Sequence, residues 1–437
     1  MKVLILAAGQ GRRQKKNGDS KPLIPLLGLS FIERVILTAK KAGIKEFQIV
    51  IGYKGKSIQE YLGNGGKWGI NIDYIYNDAW RKENGVSVLK AKDYIQEAFI
   101  LLMADHLFDY KILLALQKQT IEDDECILCV DKNHHKYLDV DDATKVFVKD
   151  DQIEDIGKQL DAHNGIDTGI FLCTPVIFDA LEESINSGNE SLSAGIKILA
   201  NRHKMKAFDI SDKYWLDVDD NTAFKNAKSL LFGKVKKNTD GPISKILNRP
   251  ISNKISELFL KTNISPNQIS LMSFIVGFFG ALFFYFGDYV FLVIGGLLVQ
   301  LSSIIDGCDG EVSRLKLIDT KYGGWFDAVL DRYADAIIIF GMIHGHWMLH
   351  NDIIIWTVGF MALMGSFLNS YTADKYDTIF GKKVKDAIGT RMGRDVRLFL
   401  IFVGALSNQI LITLAILAII TNFESIRRLI VLRLKHA

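Results

Sequence analysis

The chain has 437 residues, of which 49% are hydrophobic and 24% are charged, and its formal net charge is +3. This length allows two or three domains, and the basic residues form no continuous stripe, which argues against a nucleic-acid-binding protein. Four cysteines predict no disulfide framework for a chain of this size.

The chain starts with a predicted strand that leads into a glycine-rich turn. Residues 2–8 form an apolar run, and Gly9-Gln-Gly11 follows. This is typical of a buried parallel strand that opens into a phosphate-binding turn, because glycine lets backbone N–H groups approach a phosphate closely. The run is short and no cleavage site follows it, so we expect a strand and not a signal peptide. Basic side chains that could neutralise phosphate charge come next, at Arg12, Arg13 and Lys21.

Predicted strands and helices alternate over residues 1 to about 235. This alternation predicts an α/β domain with a Rossmann-like, mostly parallel sheet. One strand contains Cys126 and Cys129, which we interpret as core residues because no second Cys/His pair follows. The amphipathic stretch Ser30–Ala42 is predicted to be a helix. The predicted strands are Phe47–Gly52, Ile70–Tyr76, Ala98–Met103, Cys126–Val130 and Thr168–Cys173.

Motifs in this half resemble those of the nucleotidyltransferases that couple nucleoside triphosphates to sugar or alcohol phosphates. They are Leu6-Ala-Ala-Gly-x-Gly-x-Arg13 with Lys21-Pro-Leu, the strand end Met103-Ala-Asp105, and Trp215-Leu-Asp217-Val-Asp219. The resemblance implies that Asp105 and Asp219 hold at least one Mg²⁺ ion, with Asp217 as a further candidate, and that Lys21 and Arg13 are catalytic. It also implies nucleotide contacts by Ala8, Gly9, Gly11, Arg12, Asn84 and Ser87.

The segment Glu83-Asn-Gly-Val-Ser87 resembles the base and substrate loop of phosphocholine-type cytidylyltransferases, which implies CTP as the nucleotide. The alternative from the residues alone is a regulatory domain with a Rossmann-like fold and aspartates that have no catalytic role.

The second half of the chain is far more apolar. We predict a soluble domain at 1–235, a linker with an amphipathic juxtamembrane helix at 236–266, and an all-α membrane domain with six transmembrane helices at 267–437. The predicted spans are near 268–287, 289–306, 326–347, 352–371, 396–406 with a backward extension, and 408–423.

Lysine and arginine lie on one side of these spans. Basic residues follow the second and fourth spans and the last one, whereas the opposite turns contain none. The positive-inside rule then predicts a multi-pass inner-membrane protein with both termini and the soluble half in the cytoplasm.

Four aspartates lie at the edges of the apolar runs. Asp306 and Asp309 are three residues apart, and Asp327 and Asp331 are four apart, so each pair shares one helix face. Carboxylates near a membrane boundary are costly unless they bind a partner, and an all-oxygen site suits Mg²⁺ or Mn²⁺. The alternative is a set of helix-end carboxylates that face water.

The pattern Asp306-x2-Asp309-Gly310-x2-Ser313-Arg314-x8-Gly-x3-Asp327-x3-Asp331 resembles the signature of CDP-alcohol phosphotransferases. The resemblance implies two divalent metals held by the four aspartates, and Asp331 as the base that takes a proton from the attacking hydroxyl. It also implies that Gly310, Ser313 and Arg314 lie against the nucleotide. Ser313 stands where that family usually has alanine.

A basic cluster follows the fourth predicted span. Arg391, Arg394 and Arg397 are spaced by three residues, so they share a helix face, and Lys375 precedes them. The pattern resembles the acceptor-phosphate pocket of family members that use an inositol phosphate, and guanidinium groups suit a phosphate dianion. The alternative is that these cations only set the membrane topology.

The fusion of the two halves suggests that one makes the donor that the other uses. It resembles the bifunctional family that joins a CTP:inositol-1-phosphate cytidylyltransferase to a di-myo-inositol-phosphate phosphate synthase. The resemblance implies CTP, inositol-1-phosphate and CDP-inositol as substrates and intermediate, and a lipid bilayer around the second half. We also expect a homodimer formed through the membrane domain and no nucleic-acid partner.

Two alternatives remain open from the sequence. The first is an enzyme that makes another CDP-alcohol, such as CDP-aminoethylphosphonate, and transfers its head group to a lipid. The second is a transporter or sensor with a nucleotide-binding domain, against which the single unrepeated metal motif argues.

Overall fold

The structure is a computed structural model, and it describes residues 1–11, 20–133, 142–235, 241–381 and 392–436. It divides into two compact units, Met1–Leu230 and Leu231–Ala437.

The first unit contains a nine-stranded sheet in the order β5-β4-β1-β6-β11-β8-β12-β10-β9. Two short ribbons, β2-β3 and β7-β13, lie beside it. The strands are β1 Lys2–Ala7, β2 Pro25–Leu26, β3 Leu29–Ser30, β4 Glu46–Ile51, β5 Asn71–Tyr76, β6 Phe99–Met103, β7 His106–Phe108, β8 Cys126–Asp131, β9 Lys145–Lys149, β10 Gln152–Gly157, β11 Gly165–Cys173, β12 Met205–Asp209 and β13 Trp215–Asp217.

Helices cover both faces of this sheet. Successive residues of β1 enter different hydrophobic clusters, Val3 and Ile5 in one and Leu4 in the other, as a strand buried on both faces requires. The side chain of Ser30 caps α1 by accepting a hydrogen bond from the Glu33 N–H. The helices of this region are α1 Phe31–Lys41, α2 Gly55–Leu62, α3 Asn84–Leu89, α4 Tyr110–Leu116, α5 Val176–Asn186, α6 Leu192–Asn201 and α7 Asn221–Val235.

The predicted α/β class is confirmed, but the sheet is mixed. Strands β5, β4, β1 and β6 are parallel neighbours, and β12 is parallel to β8. Strand β11 is antiparallel to both β6 and β8, and β10 is antiparallel to its neighbours. The expectation of a mostly parallel sheet is therefore wrong for the half that begins at β11, because side-chain periodicity does not record strand direction.

The second unit is helical. A one-turn π-helix, Ser244–Asn248, leads into the shorter helix α8 and then into a set of long helices. The helices are α8 Arg249–Phe259, α9 Pro266–Phe286, α10 Tyr289–Leu315, α11 Lys321–His350, α12 Ile354–Phe380, α13 Arg394–Leu406 and α14 Ile410–His436.

Four segments of this unit are long and apolar enough to cross a membrane, judged over the described residues. They are Pro266–Phe286, Tyr289–Leu315, Ile354–Phe380 and Ile410–Arg433. Helix α11 carries three aspartates and Arg332 in its first half, and α13 has 13 residues. The six predicted spans thus correspond to six helices, and the membrane crossing of α11 and α13 stays a prediction.

Helix α8 is fixed to α10 through one buried carboxylate. Glu311 is 0% exposed and forms an ion pair with Arg249. Ser252 donates a hydrogen bond to it at 2.7 Å and Ser256 donates another at 2.6 Å. The polar face of α8 is therefore packed inward, and Ile246, Ile251 and Leu258 are exposed.

We expect Glu311→Ala to destabilise the helical unit by about 3–5 kcal/mol, because it leaves the Arg249 guanidinium buried without its counter-charge. Thermal unfolding of the detergent-solubilised chain measures this. Lys254→Ala, at an exposed position of the same helix, is the control and should change little. Equal melting temperatures for both variants would contradict this account of the α8–α10 contact.

Candidate active sites

In the first unit, a short ribbon brings distant aspartates together. Asp105 follows β6, and β7 then pairs antiparallel with β13, with His106 opposite Asp217. This pairing places the carboxylate that follows β6 near the two that end and follow β13. The carboxyl ends of the parallel strands β1 and β6 lie at the same sheet edge, so the turn after β1 lies there too.

Lys21 connects these carboxylates to the glycine-rich turn. Its Nζ lies 2.5 Å from Asp105 Oδ2 and donates a further hydrogen bond to Asp219 Oδ1. Burial acts to lower the pKa of Lys21, but the carboxylates of Asp105, Asp217 and Asp219 outweigh it and raise that pKa above its usual value. The structure therefore brings together Lys21, Asp105 and Asp219, as predicted, with Lys21 held as a cation.

Gly11 is needed for this arrangement. It has a φ of +63°, and a side chain there would bring its Cβ within 2.5 Å of Lys21 Cβ. A residue with a side chain would thus be strained and would displace the lysine.

A cleft of about 270 Å³ opens at this edge of the sheet. Its lining includes Lys21, Asp105, Asp219, Trp80 and Lys82. Five predicted nucleotide contacts also lie there: Ala8, Gly9, Gly11, Asn84 and Ser87. Arg12 and Arg13 fall outside the described residues, so their predicted contacts stay predictions.

Asn84 and Ser87 also have structural partners. The Asn84 side-chain oxygen accepts a hydrogen bond from the Leu192 N–H at 2.9 Å, which joins α3 to the start of α6. Ser87 is buried and accepts a hydrogen bond from Asn77 at 2.9 Å. Both residues therefore shape the wall of the cleft.

His106 is partly buried and lies beside two of these carboxylates. Its Nδ1 lies 2.9 Å from the Thr168 carbonyl oxygen, and its Nε2 lies 3.5 Å from Asp217 Oδ1 and 3.9 Å from Asp105 Oδ1. Burial opposes its charged form, but Asp217, Asp105 and the Thr168 carbonyl outweigh burial and raise the pKa of His106 to about 9.

Burial and the neighbouring charges shift the pKa values of Asp105 and Asp217 in opposite directions. Burial would raise the pKa of Asp105, but Lys21 and His106 outweigh it, and the pKa falls below its usual value. Burial dominates at Asp217 and raises the pKa of that carboxyl. Within one cluster, the pKa of Asp105 is therefore lowered and the pKa of Asp217 is raised.

We expect the stability of this unit to fall as the pH rises from about 6.5 to 9. The folded pKa of His106 is above its ordinary value of about 6.5, so its contribution is complete below that value and is lost as the pH passes through about 9. The loss is on the order of 3 kcal/mol. Chemical unfolding in a metal chelator at several pH values measures it.

His106→Asn should flatten this pH dependence, whereas His203→Asn, at an exposed turn, should leave it in place. A profile that is equally steep in the His106 variant would contradict the assignment.

In the second unit, helices α10 and α11 form an acidic cluster. Asp306, Asp327 and Asp331 each offer an oxygen within 4.8 Å of the others. The sequence predicted that these two helix faces meet, and the structure brings three of the four aspartates into one group.

The fourth aspartate, Asp309, lies outside this group and has its own donors. Its Oδ2 accepts a hydrogen bond from Ser270 at 2.6 Å, and its Oδ1 accepts one from the Gly310 N–H. A Cβ at Gly310 would lie 2.9 Å from Arg314 Nη1, so a side chain there would displace that guanidinium. Ser313 directly precedes Arg314 on the same helix.

Two arginines of α13 extend the acidic cluster. Arg394 Nη1 lies 2.6 Å from Asp331 Oδ1 and 3.2 Å from Asp306 Oδ1. Arg397 is buried, and it donates to Asp335 at 2.8 Å and to Ser370 at 3.4 Å. The predicted acceptor cluster is therefore divided, because Arg394 pairs with Asp306 and Asp331 whereas Arg397 pairs with Asp335.

For Lys375, another member of that cluster, the structure shows a contact with an aromatic ring. Lys375 has its Nζ 5.9 Å from the centre of the Tyr371 ring. Arg391 lies outside the described residues, so its predicted phosphate contact stays a prediction.

Comparison with known proteins agrees with both sites. The family described as nucleotidyl transferase matches residues 2–232, and the family described as CDP-alcohol phosphatidyltransferase matches residues 263–423. A bifunctional IPC transferase and DIPP synthase from Rubrobacter xylanophilus is 34% identical over 98% of this chain and 96% of its own. The chain belongs to this bifunctional family.

A second member of the bifunctional family, from Aquifex aeolicus, is 32% identical over 97% of this chain and 96% of its own. Among solved structures, the inositol-1-phosphate CTP transferase from T. maritima is similar, with 23% identity and a TM-score of 0.49 over 55% of this chain and 98% of that one. As a member of the family, the chain is an enzyme with a nucleotidyltransferase domain and a CDP-alcohol phosphotransferase domain, which confirms the sequence-based assignment.

Both acidic clusters of this family member suit a divalent metal ion. Asp217 Oδ1 and Asp327 Oδ1 are buried and have no aligned hydrogen-bond donor among the described residues. Several carboxylates in contact repel one another unless a cation lies between them, and hard cations prefer such oxygens. The described carboxylates are Asp105 and Asp217 in one unit, with the His106 ring beside them, and Asp306, Asp327 and Asp331 in the other.

The sequence analysis missed two residues of these sites. His106 directly follows Asp105, but only the β7–β13 pairing shows that its ring faces Asp217. Asp335 lies four residues after Asp331, just as Asp331 lies four residues after Asp327. This spacing could have identified Asp335 from the sequence.

Proposed function

We propose that this enzyme makes CDP-inositol from CTP and inositol-1-phosphate and then transfers the phosphoinositol group to a second inositol-1-phosphate, with release of CMP. The observation that carries this proposal is the near-full-length similarity to relatives named bifunctional IPC transferase and DIPP synthase. The two catalytic units in one chain also support it, because the first would supply the donor of the second.

In the first unit, the cleft at the end of β1 and β6 would bind CTP. The turn at Ala8, Gly9 and Gly11 offers backbone N–H groups to the phosphates, and Arg12 and Arg13 would add charge. Lys21, held as a cation by Asp105 and Asp219, would stabilise the charge that develops on the α-phosphate during attack. Mg²⁺ bound by Asp105, Asp217 and Asp219 would supply further charge stabilisation.

In the second unit, Asp331 would take the proton of the attacking inositol hydroxyl. Asp306, Asp309, Asp327 and Asp331 would hold two Mg²⁺ or Mn²⁺ ions, which would neutralise the pyrophosphate and the leaving CMP. Gly310 gives room for the Arg314 guanidinium, which would contact the nucleotide phosphates, with Ser313 beside it. Arg394 lies at the cluster and would contact the acceptor phosphate directly, with Lys375 and Arg391 from the preceding segment.

We also propose the location and boundaries predicted from the sequence. Residues 1–235 would lie in the cytoplasm, 236–266 would follow the membrane surface, and 267–437 would cross the inner membrane six times. The four apolar helices, the basic residues on one side and the exposed Ile246, Ile251 and Leu258 support this. The expected homodimer concerns a second chain and stays a prediction.

The test is an assay of the purified full chain with CTP, Mg²⁺ and a panel of alcohol phosphates, with products read by mass spectrometry. The panel contains inositol-1-phosphate, phosphocholine, glycerol-3-phosphate and 2-aminoethylphosphonate. The proposal expects CDP-inositol with release of pyrophosphate. Formation of only another CDP-alcohol would contradict it and would favour the alternative with a different head group.

Arg394→Ala should raise the Michaelis constant for inositol-1-phosphate by about 10- to 150-fold, the effect of losing a charge-assisted hydrogen bond. The constant for CDP-inositol should change much less. Arg427→Ala is the control, because Arg427 pairs with Glu424 on its own helix. Equal increases for both substrates would place Arg394 at the nucleotide instead.

A further inference from the structure

Asp335 lies on α11, one turn beyond Asp331, and is 4% exposed. Both of its carboxylate oxygens are used by the basic residues of α13. Oδ1 accepts a hydrogen bond from Arg394 Nε at 3.0 Å, and Oδ2 accepts one from Arg397 Nη2 at 2.8 Å.

The Asp335 carboxylate restrains the Arg394 side chain by binding its Nε. With its Nε bonded to Asp335, the guanidinium directs Nη1 towards Asp331 and Asp306. Arginine has high rotamer freedom, so a fixed second bond limits where its remaining nitrogens point. Arg397, which also donates a hydrogen bond to Ser370, in turn holds the second oxygen of Asp335 in place.

Helix packing alone does not require this arrangement. A buried ion pair contributes little net stability compared with well-packed apolar residues, because desolvation offsets the attraction. An apolar contact between α11 and α13 would serve the fold equally well. The ion pairs provide one thing that an apolar contact would not: they fix the direction of the Arg394 guanidinium towards the acidic cluster.

We infer that Asp335 is a positioning residue of the phosphoinositol transfer, which acts by aiming Arg394 at the site where the acceptor phosphate and the Asp331 base meet. Asp335 lies outside the four-aspartate motif and touches none of its carboxylates directly in the described contacts. The inference rests on the proposed function of the second unit and adds a residue to it.

The test is a double-mutant cycle of Asp335→Asn and Arg394→Gln in the full chain. Asn offers one acceptor oxygen in place of two, so one of the two arginines loses its anchor. Asp335→Asn should raise the Michaelis constant for inositol-1-phosphate by about 10-fold or more and leave that for CDP-inositol nearly unchanged. In the Arg394→Gln background, the same change should add almost nothing, because Asp335 acts through Arg394.

Glu424→Gln is the matched control, since it also removes the charge of a carboxylate paired with arginine but lies away from the acidic cluster. It should leave both constants near their wild-type values. Effects of Asp335→Asn that add fully to those of Arg394→Gln, or that fall equally on both substrates, would overturn the inference. If the Asp335→Asn chain does not fold, the cycle is repeated in chains that also carry Arg397→Gln. That change removes the buried positive charge that Asp335 neutralises.

A second readout separates this inference from the proposed function. If the wild-type chain transfers no phosphoinositol, the proposed function fails, and the rise in melting temperature caused by inorganic phosphate is measured instead. Loss of that rise in both Asp335→Asn and Arg394→Gln, with retention in Glu424→Gln, supports the positioning role. An undiminished rise in Asp335→Asn contradicts it.

Discussion

Asp331→Asn should reduce phosphoinositol transfer by at least about 10²-fold, since a positioned base contributes about 10²- to 10⁴-fold. Asn keeps the shape of the side chain but cannot accept the hydroxyl proton. Binding of CDP-inositol and the cytidylyltransferase reaction should persist, because the latter depends on residues of the other unit. The assay adds CDP-inositol and inositol-1-phosphate directly and follows CMP release.

Two variants of the same cluster should behave differently from Asp331→Asn. Asp306→Ala and Asp327→Ala each remove a hard oxygen ligand, so the Mg²⁺ concentration for half-maximal rate should increase. Asp352→Asn, at a partly buried aspartate in the turn after α11, is the control and should match the wild type. An active Asp331→Asn enzyme would refute the base assignment, and full activity of Asp306→Ala at low Mg²⁺ would refute the metal site.

Lys21→Ala and Asp105→Ala should each reduce pyrophosphate release from CTP by at least about 10²-fold, the usual cost of losing an electrostatic contact to the transition state. Lys21 is buried against two carboxylates, so its charge is fixed at that place. Transfer from added CDP-inositol should remain intact in both variants.

Lys45→Ala, at an exposed position before β4, is the control for these two variants and should retain full turnover. Undiminished pyrophosphate release in both Lys21→Ala and Asp105→Ala would show that the nucleotide site lies elsewhere in the chain.

The sequence predicted those parts of the sites that local spacing determines. The i,i+3 and i,i+4 aspartates of α10 and α11 share helix faces, and the strand ends at Ala8 and Asp105 share a sheet edge, since both follow from periodicity. It also located six of the thirteen described strands of the first unit within a few residues. Helix α1 follows its predicted range within one residue at each end.

Other features depend on contacts between distant segments. The antiparallel insertion of β11 beside β6 leaves no trace in side-chain alternation, so the sheet was expected to be mostly parallel. The equal spacing of Arg394 and Arg397 suggested one shared role. Ion pairs from α13 to α11 instead bury Arg397 on Asp335 and direct Arg394 to Asp331.

The proposed function is tested most directly by following one inositol ring through the second reaction. Purified full chain receives unlabelled CDP-inositol, carbon-13-labelled inositol-1-phosphate and Mg²⁺, and the products are analysed by mass spectrometry and phosphorus NMR. The account predicts a soluble product with one labelled and one unlabelled ring, joined by a phosphodiester, with the phosphomonoester on the labelled ring and CMP in equal amount. CMP release without incorporation of the labelled ring, or incorporation of the unlabelled phosphoinositol into lipid, would contradict it.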